Sequence, residues 1–233
     1  MSLLFCDKGD HMTREKLLHA QNISIELFDS IEQCNLISVG KTEEQLNAEV
    51  CDLASKKFGI ENHWHKKIVR SGKNTLAIYP DNPPNRKIET DDILFIDLGP
   101  IVEDYEADIG RTYVLGNNSR KLKLKRDVES AWYIIQGWYQ QQTSLKASEL
   151  FQYAVEKARE FGWEFGGEIA GHIVGKYPHE QPPDPKSLEL DIHPGNHNDM
   201  FLRDANGDER HWILELQFVD RKNEIGGYFE QLL

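Results

Sequence analysis

Four acidic residues and one histidine lie inside segments that otherwise have the composition of buried strands. They are Asp97 in ILFIDLG, Asp108 in DIGRTYVLG, His172 in EIAGHIVGKY, Glu215 in WILELQF and Glu230 in GGYFEQLL. Because side chains alternate between the two faces of a strand, any one of them alone could face solvent. The set needs another explanation, since burying an unpaired carboxylate is costly and four carboxylates close together would also repel one another.

Divalent cations would neutralise such a cluster. Basic residues are few in these strand-like segments: Arg111 lies in DIGRTYVLG, and Lys176 lies near the end of EIAGHIVGKY. Four carboxylates and one imidazole form an oxygen-rich ligand set, which suits two divalent ions such as Mn, Co, Fe or Zn with some carboxylates bridging. Periodicity and composition do not by themselves establish that the five residues converge.

The order of predicted elements indicates a domain with two similar halves. Helices are predicted over 13–34, 42–57, 127–141 and 148–162, with N-terminal caps at Thr13, in the capping box TEEQ (42–45) and at Ser148. Strands are predicted in KKIVRSG, ILFIDLG, DIGRTYVLG, the region around His172, RHWILELQFVD and GGYFEQLL. ILFIDLG and DIGRTYVLG should pair as a hairpin, and the basic run 121–126 should be a solvated loop entering a helix. Two helices followed by strands, twice over, suggest approximate internal symmetry.

Composition narrows the class of protein. The net charge of -12 argues against nucleic acid as the main partner, because phosphate binding requires a basic surface. Three scattered cysteines, Cys6, Cys34 and Cys51, indicate a reducing compartment rather than a disulfide framework. No apolar run approaches the roughly 20 residues of a membrane span. We predict a cytoplasmic protein with no membrane partner, in which a flexible leader (1–12) precedes a single catalytic domain (13–233).

The five residues, in this order and spacing, resemble the metal-ligand series of the pita-bread metallopeptidases. This family contains the methionine aminopeptidases, prolidases and Xaa-Pro aminopeptidases. The resemblance runs from about residue 13 to the C-terminus and includes SGKNT (71–75) and GHIVGKYPHEQP (171–182). The motif ADIGRTY is closer to that of prolidases than to that of methionine aminopeptidases. It implies an α+β pita-bread fold, in which two pseudo-symmetric α/β halves surround a curved antiparallel sheet with a metal site in its concave face.

The resemblance also implies roles for the five residues. Asp97 would chelate one ion, His172 and Glu215 would bind the other, and Asp108 and Glu230 would bridge the two. A hydroxide held between the ions would attack the scissile carbonyl of an N-terminal peptide bond, and Glu215 would transfer the proton.

Two residues outside the series complete the implied catalytic set. His179 would be a surface-loop histidine by its neighbours alone, but the resemblance makes it a hydrogen-bond donor to the substrate carbonyl. Tyr79 occupies the position where the family usually has a substrate-contacting histidine. A phenol donates a hydrogen bond but does not shuttle protons at neutral pH, because its ordinary pKa is about 10.

The sequence departs from the family elsewhere too. Leu216 follows Glu215 where proline is usual, and only three residues follow Glu230. The N-terminal domain typical of prolidases is missing, so we expect that part of the pocket wall is absent or comes from another subunit, as a homodimer would provide.

The remaining histidines are assigned to less specific roles. His63 and His65, in HWH, could face one side of a strand together, but no acidic motif accompanies them, so packing or surface exposure is the preferred interpretation. The polar stretch 193–210 is predicted to be a surface loop over the site, with His193 as its first candidate for a substrate contact.

With all five residues retained, the resemblance implies a dinuclear metal-dependent hydrolase, an aminopeptidase or Xaa-Pro peptidase acting on a short peptide or a protein N-terminus. A catalytically impaired pita-bread module that binds a peptide or protein is the alternative, which Tyr79 and the short C-terminus favour. A metal-free C–N hydrolase of the creatinase type shares the fold, but retention of all five residues argues against it. Metal content separates the first hypothesis from the other two.

Overall fold

A computed structural model describes residues 7–182, 184 and 186–233. Over these residues the chain forms the helices α1 (Asp7–Gln33), α2 (Glu43–Phe58), α3 (Ser119–Tyr139) and α4 (Ala147–Glu160), and a short 3-10 helix (Gly72–Leu76). The strands are β1 (Ile68–Ser71), β2 (Ile93–Leu98), β3 (Ile101–Val102), β4 (Tyr105–Glu106), β5 (Ile109–Val114), β6 (Glu164–Phe165), β7 (Ile173–Val174), β8 (His211–Asp220) and β9 (Ile225–Leu232). No helix in this part of the chain has the length and apolarity needed to cross a membrane.

The main sheet is antiparallel and joins the two halves of the chain. Its strand order is β1-β2-β5-β9-β8-β6, and β7 pairs with β8 beside this path. The predicted β2–β5 hairpin is confirmed, and the small β3–β4 ribbon lies in the linker between its strands. The β8–β9 hairpin belongs to the second half, and it meets the first where Gly110 of β5 pairs with Glu230 of β9.

Both helix pairs pack against the same face of this sheet. Leu94, Ile96 and Leu98 of β2 are buried in a cluster with residues of α1 and α2. Leu214, Leu216 and Phe218 of β8 are buried in a second cluster, with residues of α3 and α4. Since neighbouring strand residues point to opposite faces, the residues between them, including Asp97 and Glu215, point away from the helices. The main sheet therefore has one hydrophobic face, which the helices cover, and one face that carries the candidate site residues.

Helix α2 follows the sequence pattern closely. The Thr42 side chain accepts a hydrogen bond from the backbone N–H of Gln45, and the Gln45 side chain accepts one from the backbone N–H of Thr42. These two bonds form the predicted capping box. Gly59 ends the helix in the left-handed conformation, with φ of 65°.

The other helix starts differ from the predictions. Helix α1 begins at Asp7, so Thr13 lies inside it and residues 7–12 of the predicted leader are helical, while residues 1–6 lie outside the described residues. Helix α4 begins after Lys146, so Ser148 is an internal residue and not its cap.

The basic run 121–126 is helical, so its prediction as a solvated loop is wrong. Helix α3 starts at Ser119 because the side chain of Asn118 accepts hydrogen bonds from the N–H groups of Arg120 and Lys121. Leu124 is then fully buried in the core, and Lys123 pairs with Asp127 one turn further on. An early cap and one buried leucine outweigh the polar composition of the segment.

Candidate metal centre

One row of residues crosses four neighbouring strands on the face opposite the helices. Backbone pairing places Asp97 beside Gly110, Gly110 beside Glu230, and Glu230 beside Glu215. Directly paired residues of antiparallel strands point to the same face, so three carboxylates stand in line with a glycine among them. Asp108 precedes Gly110 by two residues and therefore lies on that face as well.

Gly110 is needed for this close approach of side chains. A Cβ atom at position 110 would lie 2.4 Å from a ring carbon of Tyr228 and 3.2 Å from the Cβ of Glu230. The missing side chain therefore leaves space for its neighbours in the row, because any larger residue would push them apart.

His172 approaches this row from the loop before β7. Its Nε2 lies 3.3 Å from Oδ2 of Asp108, and its Nδ1 lies 2.9 Å from the carbonyl oxygen of Ile173. A carbonyl only accepts hydrogen bonds, so Nδ1 carries the proton that it donates to Ile173. Nε2 is thereby directed at the carboxylates, in the orientation that metal-binding histidines adopt.

His65 contacts the other carboxylate oxygen of the same aspartate. Its Nε2 lies 3.1 Å from Oδ1 of Asp108 and 3.6 Å from Oδ1 of Asp97. The interpretation of His65 as a packing or surface residue is therefore wrong. The H-x-H alternation was the available signal, but the acidic partners come from β2 and from the residue just before β5, which are remote in the sequence.

The protein's own charges neutralise this cluster only in part, through the imidazoles of His65 and His172 that face Asp108. Burial raises the pKa of Asp97 to about 7, although the neighbouring His65 opposes that shift. Burial and the carboxylates of Asp108 and Asp97 raise the pKa of Glu230 well above its usual range. Burial would also raise the pKa of Asp108, but the imidazoles of His65 and His172 outweigh it and hold this pKa below its usual range. Raised and lowered pKa values side by side in one buried cluster of residues are typical of functional sites.

The donor atoms fit divalent cations. Within the described residues, Oδ1 of Asp97 and Oε2 of Glu230 are buried without a hydrogen-bond partner, which is unfavourable unless another group binds them. Donor atoms of Asp108, His172 and Glu230 lie within 4.8 Å of one another, and so do those of His65, Asp97 and Asp108. Asp108 is common to both groups, so the cluster could hold two adjacent metal ions that share this carboxylate.

Glu215 is in the row but outside both of these groups. Its Oε2 accepts a hydrogen bond of 2.7 Å from the hydroxyl of Tyr228, and burial raises its pKa. Arg111, the basic residue of these strands, does not offset the carboxylates in the site. It points to the helix side, where it donates to the backbone oxygen of Glu230.

A cavity of about 420 Å³ opens above the row, which is large enough for a small peptide. The five predicted ligands line it together with His179 and Tyr79, so all the predicted site residues share one space. Trp64 lies on its wall with its ring edge-on to the rings of His65, His172 and His179.

His179 is held in place by a residue that the sequence did not single out. Its Nδ1 lies 2.8 Å from Oε2 of Glu106, a carboxylate that is 1% exposed. Glu106 also accepts hydrogen bonds from the backbone N–H groups of Gly175 and His179. The carboxylate fixes both the loop and the ring, and it leaves Nε2 of His179 for the cavity.

Tyr79 lies at the edge of the cavity with 52% of its surface exposed. Burial of the remainder raises the pKa of its phenol, so the hydroxyl keeps its proton at neutral pH. The guanidinium of Arg70 donates to the backbone oxygens of Ala77, Ile78 and Asp81, which fixes the turn that carries Tyr79.

The polar stretch 193–210 does not cover the site. The described residues that line the cavity include none from this stretch, so the prediction for His193 is wrong. The Nδ1 of His193 accepts a hydrogen bond from the N–H of Gly195 in its own turn, and its ring lies beside Phe151 of α4. The polar composition of residues 193–210 predicted a loop but could not predict where that loop lies relative to the cavity.

The sheet and its buried carboxylate face define this chain as a metallopeptidase-like domain. The model of metallopeptidase family M24 matches residues 15–203. This chain therefore belongs to metallopeptidase family M24, whose members use divalent metals.

Individual relatives agree with that assignment. An Xaa-Pro dipeptidase of Pyrococcus furiosus is 30% identical over 136 residues, which cover 54% of this chain and 36% of the relative. The structure of an X-Pro aminopeptidase from Thermotoga maritima matches with a TM-score of 0.74 and 24% identity over 95% of this chain and 57% of that one. The structure of a methionine aminopeptidase from the same organism matches with a TM-score of 0.69 and 16% identity over 94% and 90% of the two chains. The predicted α+β pita-bread fold is confirmed. The chain spans little more than a third of the dipeptidase and little more than half of the X-Pro aminopeptidase.

Proposed function

We propose that this chain is the catalytic domain of a dinuclear metal-dependent exopeptidase that hydrolyses an N-terminal peptide bond. The observation that carries the proposal is the row of buried carboxylates at the base of a peptide-sized cavity. Carboxylates with raised pKa values and unpartnered oxygens are unfavourable in a protein interior unless a cation compensates them.

In the proposed site, five residues would hold two divalent ions. Asp97 would hold one ion, His172 and Glu215 would hold the other, and Asp108 and Glu230 would contribute to both. When bound, the ions would supply a nucleophilic water at neutral pH and neutralise charge that develops on the scissile carbonyl. One imidazole among carboxylates suits Mn, Co, Zn or Fe.

The remaining residues position the substrate and move the proton. Glu215 accepts the proton that the attacking water loses, and the Tyr228 hydroxyl, 2.7 Å away, orients that carboxylate. Because Nδ1 of His179 donates to Glu106, the ring donates a second hydrogen bond, from Nε2 to the oxygen of the scissile carbonyl as that oxygen becomes negative, when both ring nitrogens carry a proton. Tyr79 contributes a second donor at the edge of the cavity.

Among the family's substrates, we favour a residue followed by proline over an N-terminal methionine. The support is that the Xaa-Pro dipeptidase of Pyrococcus furiosus is similar in sequence, and that the motif ADIGRTY is closer to that of prolidases than to that of methionine aminopeptidases. A cytoplasmic location and a homodimer remain part of the proposal.

Metal content and cleavage together test the proposal. We expect elemental analysis of protein reloaded with Mn, Co or Zn to give about two ions per chain. We also expect Ala-Pro and Leu-Pro to be cleaved faster than Met-Ala, with activity lost in chelator and restored by metal. Failure to bind metal under every loading condition would contradict the proposal and favour a peptide-binding module. Two ions with faster cleavage of Met-Ala would retain the enzyme but overturn the proline preference.

Tyr79→Phe is expected to lower kcat/KM by about 10-fold, the usual contribution of one hydrogen bond of roughly 1.4 kcal/mol. Metal content should not change, because the phenol is not among the proposed ligands. Steady-state kinetics with Ala-Pro would measure the effect, and Tyr133→Phe, an exposed tyrosine on α3, is the matched control. Equal kinetics for wild type and Tyr79→Phe would remove Tyr79 from the catalytic set.

A further inference from the structure

We propose that His65 is an additional metal ligand, which binds through Nε2 the ion held by Asp97 and Asp108. The inference rests on the proposed metal centre and adds to it a residue outside the five-residue series. It would give each of the two ions an imidazole ligand.

The two histidines are arranged alike around Asp108. Nε2 of His172 faces Oδ2 of this carboxylate at 3.3 Å, and Nε2 of His65 faces Oδ1 at 3.1 Å. In both rings Nδ1 is hydrogen-bonded to the carbonyl oxygen of the next residue, at 2.9 Å for His172 and 2.7 Å for His65. That bond fixes the ring orientation and presents Nε2 to the cluster, as the outer hydrogen bond of a ligating histidine does.

The surroundings of His65 hold its ring in this position. A Cβ atom at Gly99 would lie 2.0 Å from Cδ2 and 2.3 Å from Nε2 of His65, so the ring occupies space that only a glycine leaves. The indole N–H of Trp64 donates to the oxygen of Ala107 at 2.9 Å, and the backbone N–H of Trp64 donates to the oxygen of Gly99 at 2.9 Å. The segment that carries His65 is thereby bound to the chain just after β2 and just before β5, within two residues of Asp97 and Asp108.

A second role for His65 has to be distinguished from ligation. As an imidazolium, His65 would act as a counter-ion to Asp97 and Asp108 and would compete with a metal for their oxygens. The two roles predict opposite results, because removing a ligand weakens metal binding whereas removing a competing cation strengthens it.

Ligation by His65 would also alter metal preference. The ion beside Asp97 would gain a nitrogen donor in a set otherwise made of oxygen donors. Imidazole favours Co and Zn over Mn, while carboxylates accommodate all three. We therefore expect this chain to prefer Co or Zn over Mn, and to lose part of that preference without His65.

Cobalt titration of wild type and His65→Phe tests the inference. We expect wild type to bind two Co ions, and His65→Phe to bind one of them about 10–100-fold more weakly, with a shifted visible absorption band. His193→Phe, whose histidine lies outside the cavity, is the matched control and should titrate as wild type does. Competition with Mn should show a smaller Co preference in His65→Phe than in the control.

Each other result has a definite meaning. An unchanged cobalt affinity and spectrum in His65→Phe would overturn ligation by His65 while leaving the proposed function intact. Tighter binding would overturn it in favour of the counter-ion role. If wild type itself binds no cobalt, the proposed metal centre fails and this inference fails with it.

His65→Cys provides a test that does not depend on the folding of the phenylalanine variant. A thiolate at the ligand position should add a sulfur-to-cobalt charge-transfer band in the near ultraviolet, above any background from the native cysteines in wild type. A cobalt-loaded His65→Cys protein without that band would contradict direct ligation.

Discussion

Asp108→Ala is expected to abolish binding of both metal ions and to reduce peptidase activity by at least about 1000-fold. The carboxylate belongs to both groups of donor atoms, so one substitution removes a ligand from each proposed ion. Loss of metal-ion catalysis is worth several kcal/mol, and each 1.4 kcal/mol is about a factor of ten in rate. Elemental analysis and an Ala-Pro assay on the same preparation would measure both effects.

The controls for this prediction separate charge from volume. Asp108→Asn keeps the shape of the side chain, so it should lose metal without creating a cavity. Asp52→Ala, in an exposed ion pair with Lys56 on α2, removes a carboxylate elsewhere and should bind metal as wild type does. Unchanged metal stoichiometry in Asp108→Ala would show that the carboxylates do not form the proposed centre.

His179→Ala is expected to lower kcat by about 100- to 1000-fold while leaving two metal ions bound. This range is typical for removal of one donor to a developing oxyanion. The ring lines the cavity, but its side-chain hydrogen bond is to Glu106 and not to the carboxylate row, which is why metal content should not change. Kinetics with Ala-Pro and metal analysis would be performed on the same protein.

Glu106→Gln tests whether the orientation of His179 matters. The amide preserves the size of the side chain but weakens the charge-assisted bond to Nδ1, so we expect kcat to fall by about 10-fold. Glu180→Gln is the matched control, because Glu180 lies next to His179 and pairs with Arg210 instead. Loss of metal in His179→Ala, or wild-type kinetics in Glu106→Gln, would contradict the assigned roles.

Local sequence patterns predicted the elements that carry their own signals. The capping box at Thr42 and the glycine stop at Gly59 placed α2 to within a residue. Mostly apolar runs identified β2, β5, β8 and β9, because these strands are largely buried on both faces. Predictions were wrong where a competing local signal decided, as in α3, where Asn118 starts the helix before the basic run.

The candidate site, too, was only partly predictable from local sequence patterns. The sequence by itself determined that Asp97, Asp108, His172, Glu215 and Glu230 interrupt apolar segments, and their order indicated the family. Only the tertiary structure decided that they face one cavity, because this depends on the pairing of Gly110 with Glu230, which joins the two halves of the chain. Strand register over such a separation is set by packing of the whole sheet, which no local pattern encodes.

The same reason explains the residues that sequence analysis missed or misplaced. The contacts of His65 with Asp97 and Asp108, and of His179 with Glu106, join segments that are remote along the chain. Each side chain is unremarkable in its own segment and acquires a role from a partner on another element. Residue types and local periodicity thus determined the chemistry available to this protein, whereas the packing of distant strands and loops decided which groups share one site.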